Sequence, residues 1–244
     1  MNYHNTHRNG QEFWDKTYAE GFVYGTRPSQ AVQKALEVLQ QTGRLAPNCC
    51  FVELGCGYGR DLSYVSDRLA LSSCIGIDLS RTAIELGRRV NSCQTHKISF
   101  IEDDAIDALA RFDWNIGKPV YIYTHYFLQL FDTQTRKKLV GMAMHRCPPG
   151  GLLILSEYSA NDSRFGQGDE VEPGTFVLYP EKPLHKIHFF TEEEISTLST
   201  CPNGKLIYKC EYDEVEMIRG SVLHATSWLV IFGKGREEIH YDYL

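Results

Sequence analysis

Glycines at alternate positions, directly after an apolar run, are the residues of this chain whose spacing most clearly suits chemistry. The run Cys49–Val52 is followed by Glu53 and then by Gly55, Gly57 and Gly59. Glycine lets the main chain take up positive φ angles and lets a ligand approach the backbone closely. The pattern therefore predicts a buried strand that ends in a tight turn against a ligand.

This turn is predicted to lead into a helix over Arg60–Leu71, with Leu62, Val65 and Leu69 on one face. A strand, a glycine turn and a helix make the first unit of a doubly wound, nucleotide-binding sheet. A dinucleotide site needs a further glycine or alanine where this chain has Arg60. A phosphate-binding loop needs a Gly-Lys-Ser/Thr that does not follow. Both of these ligands are therefore disfavoured.

A second carboxylate lies at the end of the next predicted strand. Residues 73–80 contain that strand, which ends in Asp78, and Ser80 is placed to cap the helix behind it. A carboxylate at the tip of the second strand is positioned to accept hydrogen bonds from both hydroxyls of a ribose. A third short strand, Ile98–Ile101, leads into Glu102-Asp103-Asp104-Ala105. These signals stand in the order that a nucleoside site requires.

Strands and helices alternate along the chain, which predicts the α/β class with a doubly wound, mostly parallel sheet and helices on both faces. The other predicted strands are Val120–Thr124, Leu152–Ser156, Lys205–Tyr212 and Ser227–Phe232. The other predicted helices are Gln11–Glu20, one capped by Ser29 and stopped by Gly43, one from Asp132 or Thr133 to Arg146, and a short one opened by Thr191. We expect one domain over residues 1–244, with an N-terminal helical cap at 1–46.

The segment 159–188 is rich in glycine and proline and shows no clear periodicity. A loop of this length inside a compact domain is usually functional. We therefore predict a lid or substrate-side insertion here; a mobile surface loop is the alternative.

Composition limits the possible partners. The chain has 244 residues, 43% of them hydrophobic, and a formal net charge of -6. A nucleic-acid-binding surface is normally basic, so we expect no nucleic-acid partner. No apolar run approaches the ~20 residues that span a bilayer, and the polar N-terminus lacks a signal peptide's apolar core, so we expect a cytoplasmic protein without a membrane partner. None of the eight cysteines forms a Cys-x-x-Cys pair, so no metal site is predicted.

The glycine triplet, with Glu53 before it and Asp78 one strand later, resembles motif I and its partner carboxylate in the class I S-adenosylmethionine-dependent methyltransferases. Two further segments, Trp14-Asp15-Lys16 and Tyr24-Gly25-Thr26-Arg27-Pro28, resemble the entry segment of the tellurite-resistance and thiopurine methyltransferase-like branch. Residues 224–230 are similar to the last strand of that branch. The resemblance implies a seven-stranded sheet whose last strand is antiparallel and inserted beside the fifth.

The same resemblance implies S-adenosylmethionine as cofactor and S-adenosylhomocysteine as product. Trp14 and Tyr24 would wall the cofactor, and Arg27 would pair with its carboxylate, a contact that suits a guanidinium. Asp104, or Asp103 beside it, would contact the adenine amino group. The implied cofactor site consists of Trp14, Tyr24, Arg27, Glu53, Gly55, Cys56, Gly57, Gly59, Asp78, Leu79, Asp104, Ala105 and Thr124.

Methyl transfer from a sulfonium needs a nucleophile held in line with the methyl group and the exclusion of water. Acceptors bind beyond the carboxyl ends of the strands of an open sheet. We predict His125 as the general base, if one is used, because its ordinary pKa lies near neutrality. A histidine that only packs beside the cofactor is the alternative. Tyr126 is a second catalytic candidate, and the predicted substrate residues are Tyr126, Glu157, Tyr158 and His188.

The function predicted is methyl transfer to a small-molecule acceptor, which would be a hydroxyl, an amine, a thiol or a chalcogen oxyanion. The alternative is a non-catalytic module that binds S-adenosylmethionine or S-adenosylhomocysteine, because binding alone would keep the same glycines and Asp78. A nicotinamide-dependent oxidoreductase is disfavoured by Arg60. The sequence gives no indication of the oligomeric state.

Overall fold

The computed structural model describes residues 3–21, 25–92, 98–112, 117–198, 204–218 and 220–235, with side chains from residue 10 onward. Its helices are α1 (Tyr3–Ala19), α2 (Gln30–Gln41), α3 (Arg60–Arg68), α4 (Arg81–Val90), α5 (Ala105–Arg111), α6 (Thr133–Arg146) and α7 (Glu192–Leu198). Its strands are β1 (Cys50–Leu54), β2 (Ser73–Asp78), β3 (Ile98–Glu102), β4 (Val120–His125), β5 (Leu152–Tyr158), β6 (Asp169–Glu172), β7 (Thr175–Val177), β8 (Lys186–His188), β9 (Gly204–Ile218) and β10 (Ser221–Lys234).

Seven strands form the main sheet in the order β3-β2-β1-β4-β5-β10-β9. The first five strands along the chain are parallel to one another, whereas β10 is antiparallel to both β5 and β9. The strand order reverses beside β1, which is where open sheets of this kind bind their ligands. The predicted fold class is confirmed, including the last strand inserted beside the fifth.

Both faces of the sheet are buried, as a parallel sheet with helices on each side requires. Along β1, Val52 and Leu54 pack into one hydrophobic cluster, while Phe51 packs into another on the opposite face. All five residues of the strand are therefore buried, and Glu53 is its polar member. Across the parts of the chain that are described, no helix is both long and apolar enough to cross a bilayer.

Side-chain caps fix where several helices begin, as the sequence predicts. Ser29 Oγ accepts a hydrogen bond from Val32 N at 3.1 Å at the start of α2, and Ser80 Oγ accepts one from Ala83 N at 3.1 Å at the start of α4. Helix α1 begins earlier than the predicted residue 11 and ends close to the predicted residue 20. Its polar N-terminal turns gave no apolar periodicity from which the earlier start could be predicted.

The segment 159–188 contains three short strands, and its role as a lid or substrate-side insertion, like the alternative of a mobile loop, stays a prediction. It forms an antiparallel three-stranded sheet in the order β6-β7-β8. A turn at Gly174, with φ of +72°, joins β6 to β7. Phe176 and Ile187 of this small sheet pack with Phe189 into an apolar cluster. Because its strands are only three or four residues long, they carry too little periodicity to be recognised in the sequence.

Two glycines inside helices allow a matched test of the packing. A methyl group on Gly87 of α4 would lie 2.8 Å from the Phe100 ring, whereas one on Gly141 of α6 would meet nothing within 4 Å. We expect Gly87→Ala to lower the free energy of unfolding by about 1–2 kcal/mol through overpacking. Gly141→Ala should raise it by about 0.5–1 kcal/mol through helix propensity. Urea unfolding of both variants checks this, and equal effects of the same sign would contradict the packing.

Candidate functional site

A cavity of about 720 Å³ opens at the carboxyl ends of β1, β2 and β4. Its walls come from the glycine turn after β1, the start of α3, the end of β2 and the segment after β4. Helix α1, the small sheet β6-β7-β8 and the starts of α5 and α6 supply further walls. The cavity therefore lies where the sheet topology and the glycine motif both predict a ligand.

The turn after β1 has glycine at three positions where another residue would be strained or would clash. Gly55, Gly57 and Gly59 have φ angles of +71°, +53° and +74°, which side chains other than glycine rarely adopt. A methyl group on Gly57 would lie 2.7 Å from the Tyr18 hydroxyl oxygen, and one on Gly55 would overlap the Phe127 ring. The turn therefore needs glycine both for its conformation and for the space beside the cavity.

Asp78 is held at the end of β2 by two backbone amides. Its Oδ2 accepts a hydrogen bond from Gly57 N at 2.8 Å, and its Oδ1 accepts one from Ser80 N at 2.8 Å. Burial raises the pKa of Asp78 to about 6, although the two amide hydrogen bonds oppose the rise. Asp78 and Leu79 both line the cavity. The carboxylate is thus fixed beside the glycine turn, with its remaining lone pairs available to a ligand.

Glu53 lines the same part of the cavity and is only 5% exposed. Burial, followed by the nearby charge of Asp61, raises its pKa well above the ordinary value. Within the described residues its Oε2 has no hydrogen-bond partner. A buried polar atom of this kind normally finds a partner. A ligand that brings a hydrogen-bonding group to the glycine turn would supply it.

The chain leaves β4 through a strained residue. Tyr126 has φ of +50°, an uncommon conformation for a bulky side chain. Its backbone N donates to Ser156 O at 2.9 Å, and its hydroxyl lies 2.9 Å from Ser227 Oγ. Such strain is often found at functional sites. The turn of the backbone at Tyr126 places Tyr126 and Phe127 in the lining of the cavity.

His125 also lines the cavity, but it is paired on the side away from it. Its Nε2 lies 3.2 Å from Oε2 of Glu214, which is fully buried on β9. Burial alone would lower the pKa of His125, yet the charge and hydrogen bond of Glu214 outweigh burial and raise it above 6.5. Glu214 thus stabilises the imidazolium form of His125 and fixes the orientation of its ring, and the catalytic role predicted for His125 stays a prediction.

Glu214 is surrounded by hydrogen-bond donors. Its Oε1 accepts from Gln30 N at 2.8 Å at the start of α2, and its Oε2 accepts from Tyr212 Oη at 2.7 Å and Tyr126 Oη at 3.2 Å. Burial would raise the pKa of Glu214, but the charge and hydrogen bond of His125 and the hydrogen bond of Tyr212 lower it to about 2. Glu214 is therefore ionised, as the N-terminus of a helix also favours.

A second buried carboxylate, Glu216, pairs with Arg60. Arg60 Nη1 lies 2.8 Å from Glu216 Oε2, and Arg60 Nη2 lies 2.6 Å from Glu216 Oε1. Single ligand atoms of His125, Glu214 and Glu216 lie within 4.8 Å of one another, a spacing that a metal ion uses. The Arg60 guanidinium already occupies both oxygens of Glu216 and supplies the positive charge. The group is thus arranged as paired ions.

Glu214 and Glu216 were not predicted from the sequence. Strand β9 continues to Ile218, beyond the predicted end at Tyr212. The two glutamates stand at alternate positions, so they point to the same face of that strand. Two acidic residues at this spacing were the available signal, but a solvent-facing strand has the same pattern.

The predicted site residues fall into two groups. Those that line the cavity are Trp14, Glu53, Gly55, Cys56, Gly57, Asp78, Leu79, His125 and Tyr126. Described residues outside the lining are Arg27, Gly59, Asp104, Ala105, Thr124, Glu157, Tyr158 and His188. Tyr24 lies outside the described residues. For residues of both groups, the assigned roles stay predictions.

Local hydrogen bonds explain why several acids lie outside the cavity. Asp104 Oδ1 accepts from Ile106 N at 2.8 Å and caps α5, and the carboxylate of Asp103 pairs with Arg111. Glu157 accepts from Leu128 N at 3.0 Å and Thr124 Oγ1 at 3.2 Å, and burial raises its pKa to about 7. Each carboxylate is used to hold a turn or a helix end.

The other two predicted substrate residues are also internal. Nδ1 of His188 lies 2.8 Å from Thr175 Oγ1, and its Nε2 lies 3.1 Å from Glu194 Oε1. The Tyr158 ring packs 4.0 Å from that of Tyr126, measured between centroids. Both side chains are 3% exposed or less. In this conformation they support the cavity wall from behind.

Two segments meet over the cavity. Phe13 and Trp14 of α1 each place their ring centroids 5.9 Å from that of His185, which precedes β8. Thr175 and Lys186 of the small sheet line the cavity below this contact. The N-terminal helix and the segment 159–188 thus enclose the site together, which is the arrangement a lid or substrate-side insertion would need.

A protein-family model described as a methyltransferase domain matches residues 24–199. This is more than half of the chain, so the protein belongs to the methyltransferase-domain family. The predicted class is confirmed at this level, while the tellurite-resistance and thiopurine branch stays a prediction. Glu214 and Glu216 lie outside the matched residues.

Similar proteins agree with this assignment. The carboxy-S-adenosyl-L-methionine synthase of Yersinia enterocolitica is 23% identical over 236 residues, covering 93% of this chain and 83% of the relative. A solved structure of a SAM-dependent methyltransferase from Anabaena variabilis has a TM-score of 0.69 at 17% identity and covers 96% of each chain. The Burkholderia thailandensis 1,6-didemethyltoxoflavin-N1-methyltransferase, solved with its namesake ligand and S-adenosylhomocysteine, has a TM-score of 0.60 at 14% identity and covers 96% of this chain and 86% of that one. At these identities the structures show a shared fold.

The Glu214 network should dominate the stability of this part of the molecule. Glu214→Gln turns one acceptor oxygen into a donor that faces other donors, so we expect a loss of roughly 3 kcal/mol in the free energy of unfolding at pH 7. Because the folded-state pKa of about 2 lies below the ordinary value, the effect should be full above about pH 4.5 and fade as the pH falls toward 2.

Asp213→Asn on the same strand is the matched control. Asp213 is exposed, and its carboxylate accepts from Thr226 Oγ1 at 3.1 Å. Urea unfolding should show a change within about 0.5 kcal/mol for this variant. Equal losses for the two variants would show that Glu214 has no special role.

Proposed function

We propose that this protein is an S-adenosylmethionine-dependent methyltransferase acting on a small-molecule acceptor. The observation that carries the proposal is the joint position of the positive-φ glycine turn, the Asp78 carboxylate and the unpartnered Glu53 oxygen on one cavity. Membership of the methyltransferase-domain family supports it independently.

The glycine turn, Asp78 and Glu53 fit S-adenosylmethionine as the cofactor. Asp78 offers acceptor oxygens to the ribose hydroxyls, and Glu53 offers an oxygen that lacks a donor. The glycine turn leaves room for the amino-acid portion beside the backbone. When bound, S-adenosylmethionine supplies a methyl carbon that the acceptor attacks while the carbon–sulfur bond breaks and its electron pair stays on sulfur, leaving S-adenosylhomocysteine.

The chain's own contribution is enclosure and alignment. Phe13, Trp14 and Phe127 cover the cavity with aromatic surface, and the segment 159–188 closes its far side. Such enclosure excludes water from a sulfonium and fixes the approach of the nucleophile. The cavity, at about 720 Å³, is of the size that cofactors and small molecules occupy, so we propose a hydroxyl, amine, thiol or chalcogen oxyanion of a small molecule as the acceptor.

The net charge bears on the partners and the location of the protein. With a net charge of -6, we propose that the protein acts without nucleic-acid or membrane partners, in the cytoplasm. The tellurite-resistance and thiopurine-like branch is our proposal for its place in the family. A non-catalytic module that binds the same cofactor is the alternative, and product formation separates the two.

We expect calorimetry to show micromolar binding of S-adenosylhomocysteine to the wild-type protein. Asp78→Ala removes the acceptor oxygens for the ribose and should weaken binding by at least about tenfold, the equivalent of one charge-assisted hydrogen bond. The control is Asp107→Ala, which removes an exposed carboxylate from α5. Absence of binding to the wild-type protein, or equal binding by both variants, would count against the proposed site.

The same titration should depend on pH. Asp78 has a pKa of about 6, and a protonated carboxyl is a weaker acceptor for ribose hydroxyls. Affinity for S-adenosylhomocysteine should therefore fall about tenfold between pH 7 and pH 5, as the ionised fraction falls. A flat profile over this range would show that the charge of Asp78 is not required.

Catalysis is tested by incubating the protein with S-adenosylmethionine and a panel of small hydroxyl, amine and thiol acceptors. Acceptor-dependent formation of S-adenosylhomocysteine supports the methyltransferase, and binding without turnover supports the non-catalytic module. Because the Yersinia relative is named as a synthase of a carboxylated S-adenosylmethionine, the recovered cofactor should also be examined by mass spectrometry.

A further inference from the structure

His125 presents one paired and one open nitrogen. Its Nε2 is held by Glu214 at 3.2 Å, and no described residue is hydrogen-bonded to its Nδ1. The imidazole lines the cavity and packs against the Tyr126 ring, with centroids 4.0 Å apart and an angle of 33° between the ring planes. Glu214 thereby fixes the ring so that Nδ1 is the nitrogen available to a ligand.

The surroundings decide whether this imidazole is charged. Glu214 and Glu216 face it from β9, Asp61 and Arg60 act on it from α3, and Glu157 interacts with it from β5; the nearby tyrosines are Tyr123, Tyr126 and Tyr212. Asp61 is engaged by Ser29 Oγ at 2.6 Å and Tyr123 Oη at 3.1 Å, and Arg60 is bound to Glu216. Glu214 is therefore the anion in direct contact with His125, and it stabilises the imidazolium.

Apolar side chains and the cation Lys186 also line the cavity. Phe127 and Phe131 pack edge to face, 4.9 Å between centroids, and both line the cavity. Lys186 of β8 also lines it. The acidic residues on this side are occupied, since Asp132 Oδ1 accepts from Thr135 N at 2.8 Å and Glu172 Oε2 accepts from Thr133 N at 3.3 Å.

We propose that the imidazolium of His125, held by Glu214, binds the negatively charged group of an organic anion with an apolar body, and that this anion is the acceptor. This inference rests on the proposed methyltransferase function and names its acceptor class. His125 then donates a proton in a hydrogen bond from Nδ1 and removes none. An acceptor that attacks as an anion needs no general base.

The test uses two matched pairs of probes that differ only in charge, namely benzoate with benzamide and 2-naphthoate with 2-naphthamide. Each is titrated by calorimetry at pH 7 into protein saturated with S-adenosylhomocysteine. We expect at least one carboxylate to bind about tenfold or more tightly than its amide, the effect of one charge-assisted hydrogen bond. His125→Gln should abolish this preference, whereas the control Asp213→Asn should keep it.

Equal binding of the members of each pair, binding of none of the four probes, or a preference that survives in His125→Gln would overturn the proposal. A second measurement covers the case in which His125→Gln does not fold. In nuclear magnetic resonance of the wild-type protein, the pKa of His125 should rise when 2-naphthoate is added, because an anion stabilises the imidazolium. An unchanged pKa would overturn the proposal equally.

The experiment distinguishes failure of the methyltransferase proposal from failure of the anionic-acceptor proposal. If the wild-type protein does not bind S-adenosylhomocysteine in the first step of the titration, the proposed methyltransferase function is wrong. Normal cofactor binding followed by indifference to probe charge would leave the methyltransferase in place and remove only the anionic acceptor. Glu214→Gln offers a further readout, because His125 should then titrate at a lower pKa and the preference for the carboxylates should fall with it.

Discussion

The buried carboxylate of Glu214 is the interaction on which the acceptor side of this site depends. It is fully buried, and an ionised group there is unstable unless it is surrounded by donors. Glu214 receives hydrogen bonds from the start of α2, from its own strand through Tyr212, and from the segment after β4. One charge thus joins three elements that are far apart in the sequence, and removing it would leave Gln30 N without this acceptor and His125 without its counterion.

The two halves of the cavity are built in different ways. The cofactor side is local, because the glycine turn and Asp78 come from adjacent strands whose backbone amides hold the carboxylate directly. The acceptor side is assembled from residues brought together only by the sheet, with His125 on β4 and Glu214 on β9. Such long-range pairing also stabilises the strained Tyr126, whose hydroxyl contacts both Glu214 and Ser227.

The contrast between a local cofactor side and a long-range acceptor side explains which parts of the site could be predicted from the sequence. The Ser29 and Ser80 caps depend on neighbours within a few residues, and the glycine turn and Asp78 lie at the ends of two strands that are consecutive in the chain, so their spacing in the sequence was sufficient. Glu157 looked equally well placed at the end of β5, but the amides after β4 capture it, and a strand-end position does not show which face a side chain uses. The family resemblance implied that the last strand lies beside the fifth, and the sheet confirms this; the alternation of strands and helices was sufficient to predict the parallel part.

The charges of the site are divided in a way that suits its proposed chemistry. On the cofactor side Glu53 and Asp78 line the cavity, and burial is the main cause of their raised pKa values, although the charge of Arg60 opposes the rise for Glu53. A bound sulfonium would place a further positive charge beside these two carboxyl groups. On the acceptor side the open group is an imidazole, and its own counterion, Glu214, lies behind it, outside the cavity. A cationic methyl donor and an anionic acceptor would therefore each meet a complementary wall, and the attraction between them would favour the approach that methyl transfer requires.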